Sequence, residues 1–200
     1  MITGNSTEHG TGSSRSRVVV DTSIFINPET QKLLGDTAGE ALQAFLAECR
    51  RASLEIYLPL SIYRELSNFI APEVLKSLRA QAVVRDVDLY NIQVPAAIFH
   101  TFIRDLRLRV NKGLNIAEKA IKSADLPETV RWVRQQYRDA LRSGIVDSVE
   151  DLEVVLMARE INGVILTSDK GIAMMAGSLG IEVFSAGEFL SFCNVIQKSG

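Results

Sequence analysis

The chain of 200 residues contains little of what several common kinds of site require. Its two cysteines, Cys49 and Cys193, lie far apart and form no C-x-x-C pair, so they predict neither a zinc site nor a disulfide framework. The two histidines, His9 and His100, give poor support to a histidine-based metal or nucleophile site. No apolar run approaches the roughly 20 residues that a membrane-spanning helix needs, and the N-terminal segment lacks the apolar core of a signal peptide. We therefore expect a cytoplasmic protein with no membrane association.

The composition is that of a globular protein, and the charge is unevenly distributed. Apolar residues make up 46% of the chain and charged residues 23%, values that fit one domain with a substantial core. The net charge is −2, yet residues 76–142 hold thirteen Lys or Arg against seven Asp or Glu. The remaining residues hold nine basic and seventeen acidic side chains. A basic segment supplies phosphate contacts, although solvated basic helices explain the same pattern.

The order of the predicted elements indicates an α/β fold. Four short β-favouring runs, RVVV, LEIYLP, NGVIL and IEVF, alternate with amphipathic helical segments in both flanks of the chain. This alternation predicts a mostly parallel sheet flanked by helices. Between Pro72 and about Arg142 the spacing predicts helices and no strand. We expect a flexible tail over 1–16 and a single domain over 17–200, with 72–136 as an inserted, protruding helical hairpin or bundle.

Acidic residues occupy the positions where such a sheet forms its sites. Asp21 and Asp169 each follow a buried strand directly, and Asp147 and Asp151 stand at the head of an apolar helix. In open parallel sheets, sites form at the carboxyl ends of the strands. Four carboxylates from distant parts of the sequence can therefore converge on one edge. Helix or turn capping is the alternative for Asp21 and for Asp169 taken singly.

The acidic residues of the predicted helix fall on two different sides of it. We predict that it starts at Asp147, with Glu150 in capping-box spacing. At about 100° per residue, Asp151 shares the apolar arc with Asp147, while Glu153 and Glu160 project to a solvated face. A buried, unpaired carboxylate is costly, so Asp151 requires a cation, an arginine or water. Mg²⁺, for which Mn²⁺ can substitute, is the natural partner of clustered carboxylates, because hard cations prefer oxygen ligands.

Three stretches carry a resemblance to a known family: VVVDTSIFINPE, SGIVDSVEDLEVVLMA and GVILTSDKGI. With the helical middle, they resemble the HARP family, homologues of the Aquifex protein-only ribonuclease P among the PIN-domain nucleases. The resemblance runs from about Arg17 to Phe192. It implies a metal-dependent endonuclease that removes the 5′ leader from precursor tRNA without an RNA subunit, leaving a 5′-phosphate. The family's catalytic, metal-binding acids map by motif onto Asp21, Asp147, Asp151 and Asp169.

The resemblance also concerns the helical insertion. It implies that the insertion makes dimer contacts, supports a large homo-oligomer (a dodecamer in the family) and places basic surface against the tRNA. The candidate RNA-binding residues are Arg104, Arg107, Arg109, Lys112, Arg131, Arg134, Arg138 and Arg142. The last four keep a spacing that places them on one helical face. An alternative for Arg138 and Arg142 is that they balance the nearby carboxylates.

Two glutamates, Glu65 and Glu153, stand outside the set of four aspartates. Glu65, in SIYREL, occupies the place of a second acid in many PIN domains, although a surface glutamate in a short helix, capped by Ser61, explains it equally well. Glu153 stands near the place where some family members carry a further aspartate, and we assign it no ligand role.

Three alternatives have different signatures. A toxin-like PIN endoribonuclease is usually shorter and lacks so long a helical insertion. A haloacid-dehalogenase-type phosphatase needs an acid two residues after the first aspartate, where this chain has Ser23. A non-catalytic RNA-binding scaffold would be expected to have lost acids and to need no magnesium, and none of the four aspartates is lost here.

Overall fold

The computed structural model describes residues 16–121, 126–142 and 148–199. These residues form ten helices and one sheet of five strands, all parallel, in the order β3-β2-β1-β4-β5. The strands are β1 (Arg17–Val20), β2 (Glu55–Pro59), β3 (Ala82–Arg85), β4 (Val164–Leu166) and β5 (Val183–Phe184). The helices are α1 (Ser23–Ile26), α2 (Pro28–Gln31), α3 (Ala38–Arg51), α4 (Leu60–Leu66), α5 (Pro72–Gln81), α6 (Ala96–Ile121), α7 (Leu126–Arg142), α8 (Val149–Ile161), α9 (Lys170–Ser178) and α10 (Ala186–Ser199).

The centre of the sheet is β1, which pairs with β2 on one side and with β4 on the other. Val18, Val19 and Val20 are all fully buried. Because successive side chains of a strand point to opposite faces, both faces of the sheet are covered here by helices. This burial explains why β1 is a continuous run of valines, since strands covered on both faces need no polar alternation.

The predicted fold class is confirmed: the four predicted strands are present and parallel, and helices flank them. The prediction that no strand lies between Pro72 and Arg142 is wrong. Ala82–Arg85 forms β3, which pairs with Ile56–Pro59 of β2. Its two valines favour a strand, but they continue the helical spacing of α5, so only the pairing with β2 decides the structure.

The basic middle of the chain contains a helical hairpin made of α6 and α7, two long helices that pack mainly against each other. Helix α6 runs through Gly113 without a break. Gly113 is buried, and a Cβ atom there would lie 2.8 Å from Cε2 of Tyr137 in α7. The glycine therefore permits close approach of the two helices. Among the described residues, no helix is long and apolar enough to cross a membrane.

Two helix starts differ from the sequence prediction. Helix α8 begins at Val149 rather than Asp147, and its cap is Ser148, whose hydroxyl accepts a hydrogen bond from the Asp151 N–H at 3.0 Å. Helix α4 begins at Leu60, and Ser61 does not cap it. The Ser61 hydroxyl instead donates to the carboxylate of Glu153.

The predicted solvated face of α8 is confirmed for Glu160, which is exposed, and is wrong for Glu153. Glu153 is partly buried through its contact with Ser61 of α4. Glu160 accepts hydrogen bonds from the guanidinium of Arg85, at the end of β3. Both glutamates thus join α8 to elements that a helical projection of its sequence cannot include.

Candidate active site

The residue at the end of the central strand is Asp21, whose side chain is 3% exposed. Its Oδ2 accepts hydrogen bonds from the hydroxyls of Ser23 at 2.5 Å and of Thr167 at 2.8 Å, and from the Ser23 N–H at 3.3 Å. Its Oδ1 has a long contact of 3.4 Å to the Thr22 hydroxyl. The hydroxyls fix the carboxylate through one oxygen and leave the other largely available. Asp21 also lines an open cavity of about 1020 Å³.

Across from Asp21, the neighbouring strand β4 ends in Thr167, Ser168 and Asp169. The Asp169 N–H donates to the Thr167 hydroxyl at 2.9 Å, and the Asp169 Oδ1 accepts from the Ile172 N–H at 2.9 Å. The predicted capping role of Asp169 in α9 is therefore confirmed. Asp169 lines the same cavity as Asp21, so one carboxylate oxygen caps the helix while the residue also contributes to the cavity wall.

The third wall of the cavity comes from the first turn of α8. Asp151, which is partly buried, lines the cavity together with Ser148 and Glu150. On the predicted apolar arc of this helix, Val154, Val155 and Ala158 are fully buried. The apolar side of α8 therefore packs against the core. Asp151 lies at the N-terminal end of this side, where it borders the cavity.

The fourth wall is α4, which carries Glu65. The Glu65 carboxylate accepts a hydrogen bond from the Thr22 hydroxyl at 3.0 Å, and Glu65 is partly buried along the cavity. A surface position, the alternative suggested by the sequence, does not describe it. Glu65 thus joins the predicted aspartates at the same cavity.

The structure brings together three of the four predicted aspartates, Asp21, Asp151 and Asp169. Asp147 lies outside the described residues. Within the described part of the chain, no three acidic, histidine or cysteine side chains are grouped closely enough to hold a metal ion. The assignment of Asp21, Asp147, Asp151 and Asp169 as catalytic metal ligands stays a prediction.

Sequence reasoning missed the hydroxyl groups that organise the cavity. Ser23 and Thr167 each contact the other across the two strands, at 3.3 Å between their hydroxyl oxygens, and the Ser168 N–H donates to Ser23 Oγ at 3.0 Å. The signal was present: DTS after β1 and TSD after β4 each combine one acid with one threonine and one serine. Their pairing becomes visible only when β1 and β4 are neighbours.

The predicted RNA-binding residues lie on the helical hairpin. Those with exposed side chains are Arg104, Arg107, Lys112, Arg131, Arg134 and Arg138. Arg109 is partly buried and lines a small cavity that also includes Met175 and Ser178 of α9. The side chain of Arg142 lies outside the described residues. These six exposed basic side chains belong to α6 and α7, and their contact with RNA stays a prediction.

A parallel sheet whose central strand ends at an acidic cavity is an architecture that nucleases use, and comparison with known proteins identifies the class as ribonucleases. The family described as PINc domain ribonuclease matches residues 17–198. Several curated proteins named RNA-free ribonuclease P are similar over most of the chain. One from Pyrococcus furiosus is 38% identical over 86% of this chain and 90% of its own length. One from a Hydrogenobaculum strain is 37% identical over 89% of this chain and 100% of its own.

A further protein of the same name, from Halorhodospira halophila, is 32% identical over 84% of each chain. A solved structure, a PilT N-terminus domain protein from Sulfolobus solfataricus, matches with 13% identity and a TM-score of 0.42, over 88% of this chain and 92% of its own. The chain belongs to the PIN-domain ribonucleases and, within them, to the HARP family of RNA-free ribonuclease P.

Proposed function

We propose that this protein is an RNA-free ribonuclease P that removes the 5′ leader from precursor tRNA by endonucleolytic hydrolysis. The observation that carries the proposal is the meeting of Asp21, Asp151 and Asp169 at one open cavity, in a chain that matches proteins of that name over most of its length. Acids from three separate parts of the sequence line one cavity only because β1, β4 and α8 meet at this edge of the sheet.

We propose Asp21, Asp147, Asp151 and Asp169 as the residues that hold one or more Mg²⁺ ions, for which Mn²⁺ can substitute. The donor set fits such an ion, because the lining carboxylates and hydroxyls offer the oxygen atoms that hard cations prefer. A bound divalent ion supplies an activated water and stabilises negative charge on the phosphate. Clustered carboxylates otherwise repel one another, so a cation also stabilises their arrangement.

The residues around the ions have roles of their own. Ser23 and Thr167 hold Asp21 in one orientation through Oδ2, so that Oδ1 is presented without rotational freedom. The α9 cap fixes Asp169 in the same manner through its Oδ1. Preorganised ligands reduce the reorganisation that the reaction would otherwise require.

We assign the exposed arginines of the helical hairpin to the body of the tRNA, away from the cavity. They are set on long helices that extend from the sheet, so they can contact phosphates at a distance from the cleaved bond. We also propose a cytoplasmic protein with a tail over 1–16 and a single nuclease domain over 17–200. Because β3 (Ala82–Arg85) belongs to the sheet, the insertion predicted over 72–136 is narrowed to the hairpin of α6 and α7.

We also assign self-association to the hairpin. Its α6 helix exposes large apolar side chains that water disfavours, among them Phe99, Phe102, Ile103, Leu108 and Leu114. Dimer contacts there, and a larger homo-oligomer such as a dodecamer, would cover them.

The proposal is tested by cleavage of a precursor tRNA with a labelled 5′ leader, in magnesium and in chelator. Wild type is compared with Asp151→Asn and with Glu182→Gln, a matched change at an exposed carboxylate outside the cavity. The expected result is one magnesium-dependent cut at the mature 5′ end, lost in Asp151→Asn and kept in Glu182→Gln. Cuts at other positions would favour a PIN endoribonuclease of another kind, and binding without any cut would favour a scaffold.

A further inference from the structure

One side chain at the cavity carries the charge opposite to all the other charged groups there. The cavity is lined by five carboxylates, those of Asp21, Glu65, Glu150, Asp151 and Asp169, and among the described residues by a single cation, Arg64. No motif of the sequence points to this arginine, and it does not lie in the basic middle of the chain. Its position follows from the structure of α4.

Helix α4 presents one face to the cavity. Ser61, Arg64, Glu65 and Asn68 all line it, and their spacing of i, i+3, i+4 and i+7 is that of a single helical face. The opposite face carries Ile62 and Leu66, which are buried in the core. Arg64 is therefore directed to the cavity by the same packing that buries its neighbours.

Two hydrogen bonds fix this face. The Ser61 hydroxyl donates to Glu153 of α8, and the Glu65 carboxylate accepts from Thr22, the residue after Asp21. The helix that carries Arg64 is thus joined both to the acidic helix and to the end of the central strand. Arg64 lies between the two anchored residues, so its backbone is held at the cavity edge.

The guanidinium of Arg64 has no ion-pair partner among the described residues, although carboxylates line the same cavity. The Arg64 side chain is exposed at the cavity, and a guanidinium carries five N–H donors. An arginine that serves to balance acids would be expected to pair with one. With respect to the residues that the structure describes, this arginine is instead available to an anion that enters from outside.

We infer that Arg64 is a substrate-binding residue, which holds a phosphate of the RNA beside the bond that is cleaved. The inference rests on the proposed function, since it is the RNA backbone that brings an anion into a cavity lined by carboxylates. The planar guanidinium matches two oxygens of a phosphate with two parallel hydrogen bonds. It thereby offsets the repulsion between the backbone and the acids and fixes the register of the strand at the cavity.

The test compares Arg64→Gln and Arg64→Lys with wild type and with Lys76→Gln. Lys76 is exposed on α5 and does not line the cavity, so its change removes one positive charge without touching the site. We expect Arg64→Gln to lower kcat/KM on the order of 10- to 100-fold, mainly through KM. Arg64→Lys should recover part of the loss, because it keeps the charge without the paired donors. Lys76→Gln should remain near wild type.

A second measurement identifies the phosphate. Each phosphate on either side of the cleaved linkage is replaced in turn by a neutral methylphosphonate, and every substrate is cut by wild type and by Arg64→Gln. At one position, the methylphosphonate should cost Arg64→Gln little further activity, because the substrate change and the protein change remove the same contact. Losses that multiply at every position would overturn the inference. So would an Arg64→Gln variant whose only change is a shifted magnesium half-saturation, since this would make Arg64 a partner of the acids.

Failure of the proposed function would be seen separately. If wild type cuts no precursor tRNA, the proposed function is wrong. The role of Arg64 is then tested alone, by fluorescence anisotropy with an RNA that carries a 5′ extension. Weaker binding by Arg64→Gln than by Lys76→Gln, with a salt dependence lowered by about one charge, would support the phosphate contact. Equal binding by the two variants would overturn it.

Discussion

The hydroxyl of Thr167 lies 2.8 Å from Oδ2 of Asp21 and donates a hydrogen bond to it. The same hydroxyl oxygen accepts from the N–H of Asp169 at 2.9 Å. One buried side chain thus links an acid after β1 to an acid after β4. Thr167 carries no charge of its own, yet the positions of both acids at the cavity depend on its hydroxyl.

Thr167→Val should therefore impair cleavage although no acid is changed. Thr167 is 4% exposed, and valine keeps its shape but removes the hydroxyl that contacts Asp21, Asp169 and Ser23. We expect kcat to fall about 10- to 100-fold, as for other residues that support metal ligands, and unfolding to be destabilised by about 1–3 kcal/mol. Thr167→Ser, which keeps the hydroxyl, is the control. Equal activity of the valine and serine variants would contradict the positioning role.

Asp169 has two roles that different substitutions separate. Asn is as good an N-cap as Asp, so Asp169→Asn should preserve α9 and the melting temperature while cleavage falls by about 100-fold or more. Asp169→Ala should lose both cleavage and the N-cap of α9, and the missing cap should lower the free energy of unfolding by about 1 kcal/mol. Thermal melting and single-turnover cleavage measure the two effects. A well-folded Asp169→Asn variant with wild-type rate would remove Asp169 from the catalytic set.

Divalent ions should stabilise the folded protein as well as support its activity. Because like charges at one site repel, magnesium should raise the melting temperature of wild type, increasingly with concentration. The increase should be small in Asp21→Asn/Asp151→Asn, and chelator should abolish cleavage without unfolding either protein. Calorimetry across a magnesium series provides the measurement. An identical rise in both proteins would mean that the ions act elsewhere.

The two buried cysteines predict a pH dependence of stability. Burial raises the pKa of the Cys193 thiol to about 11 from an ordinary 9.0, and burial raises the pKa of Cys49 well above the same value. The folded state therefore favours the neutral thiols. Their contribution to stability is complete below pH 9 and is lost as pH rises towards 11.

Urea unfolding between pH 8 and pH 11 tests this effect, with Cys193→Ala as the comparison. The stability of wild type should fall more steeply over that range than the stability of the variant, because the variant has lost one of the groups that titrate. Parallel curves would show that other groups, such as lysines and tyrosines, account for alkaline unfolding.

Much of the fold could be predicted from local patterns. The valines of β1 and the acids after β1 and β4 follow from strand propensity and from the rule that sites form at carboxyl ends of strands. The strand β3 could not be found, because Val83 and Val84 extend the helical spacing of α5 and only pairing with β2 distinguishes the two. Long-range contacts decide such short segments.

The same limit applies to the site. Asp21 and Asp169 could be proposed because each acid is adjacent to a recognisable element. Arg64 and Glu153 could not, since the first depends on which face α4 turns to the cavity and the second on its contact with Ser61. A helical projection shows which residues share a face but not what lies opposite them.

The order of the strands has a consequence for how the protein is made. Val18 of β1 pairs with Val164 of β4, so the central strand meets one of its two neighbours only after a long stretch of chain has been added. At about 5–20 residues per second, this delay is on the order of ten seconds. Until then Asp21 lacks the hydroxyl of Thr167, and Asp169, which follows β4 in the chain, has not yet been added. A growing chain therefore lacks the complete cavity wall of Asp21, Asp151 and Asp169 until β4 and the residues that follow it have been made.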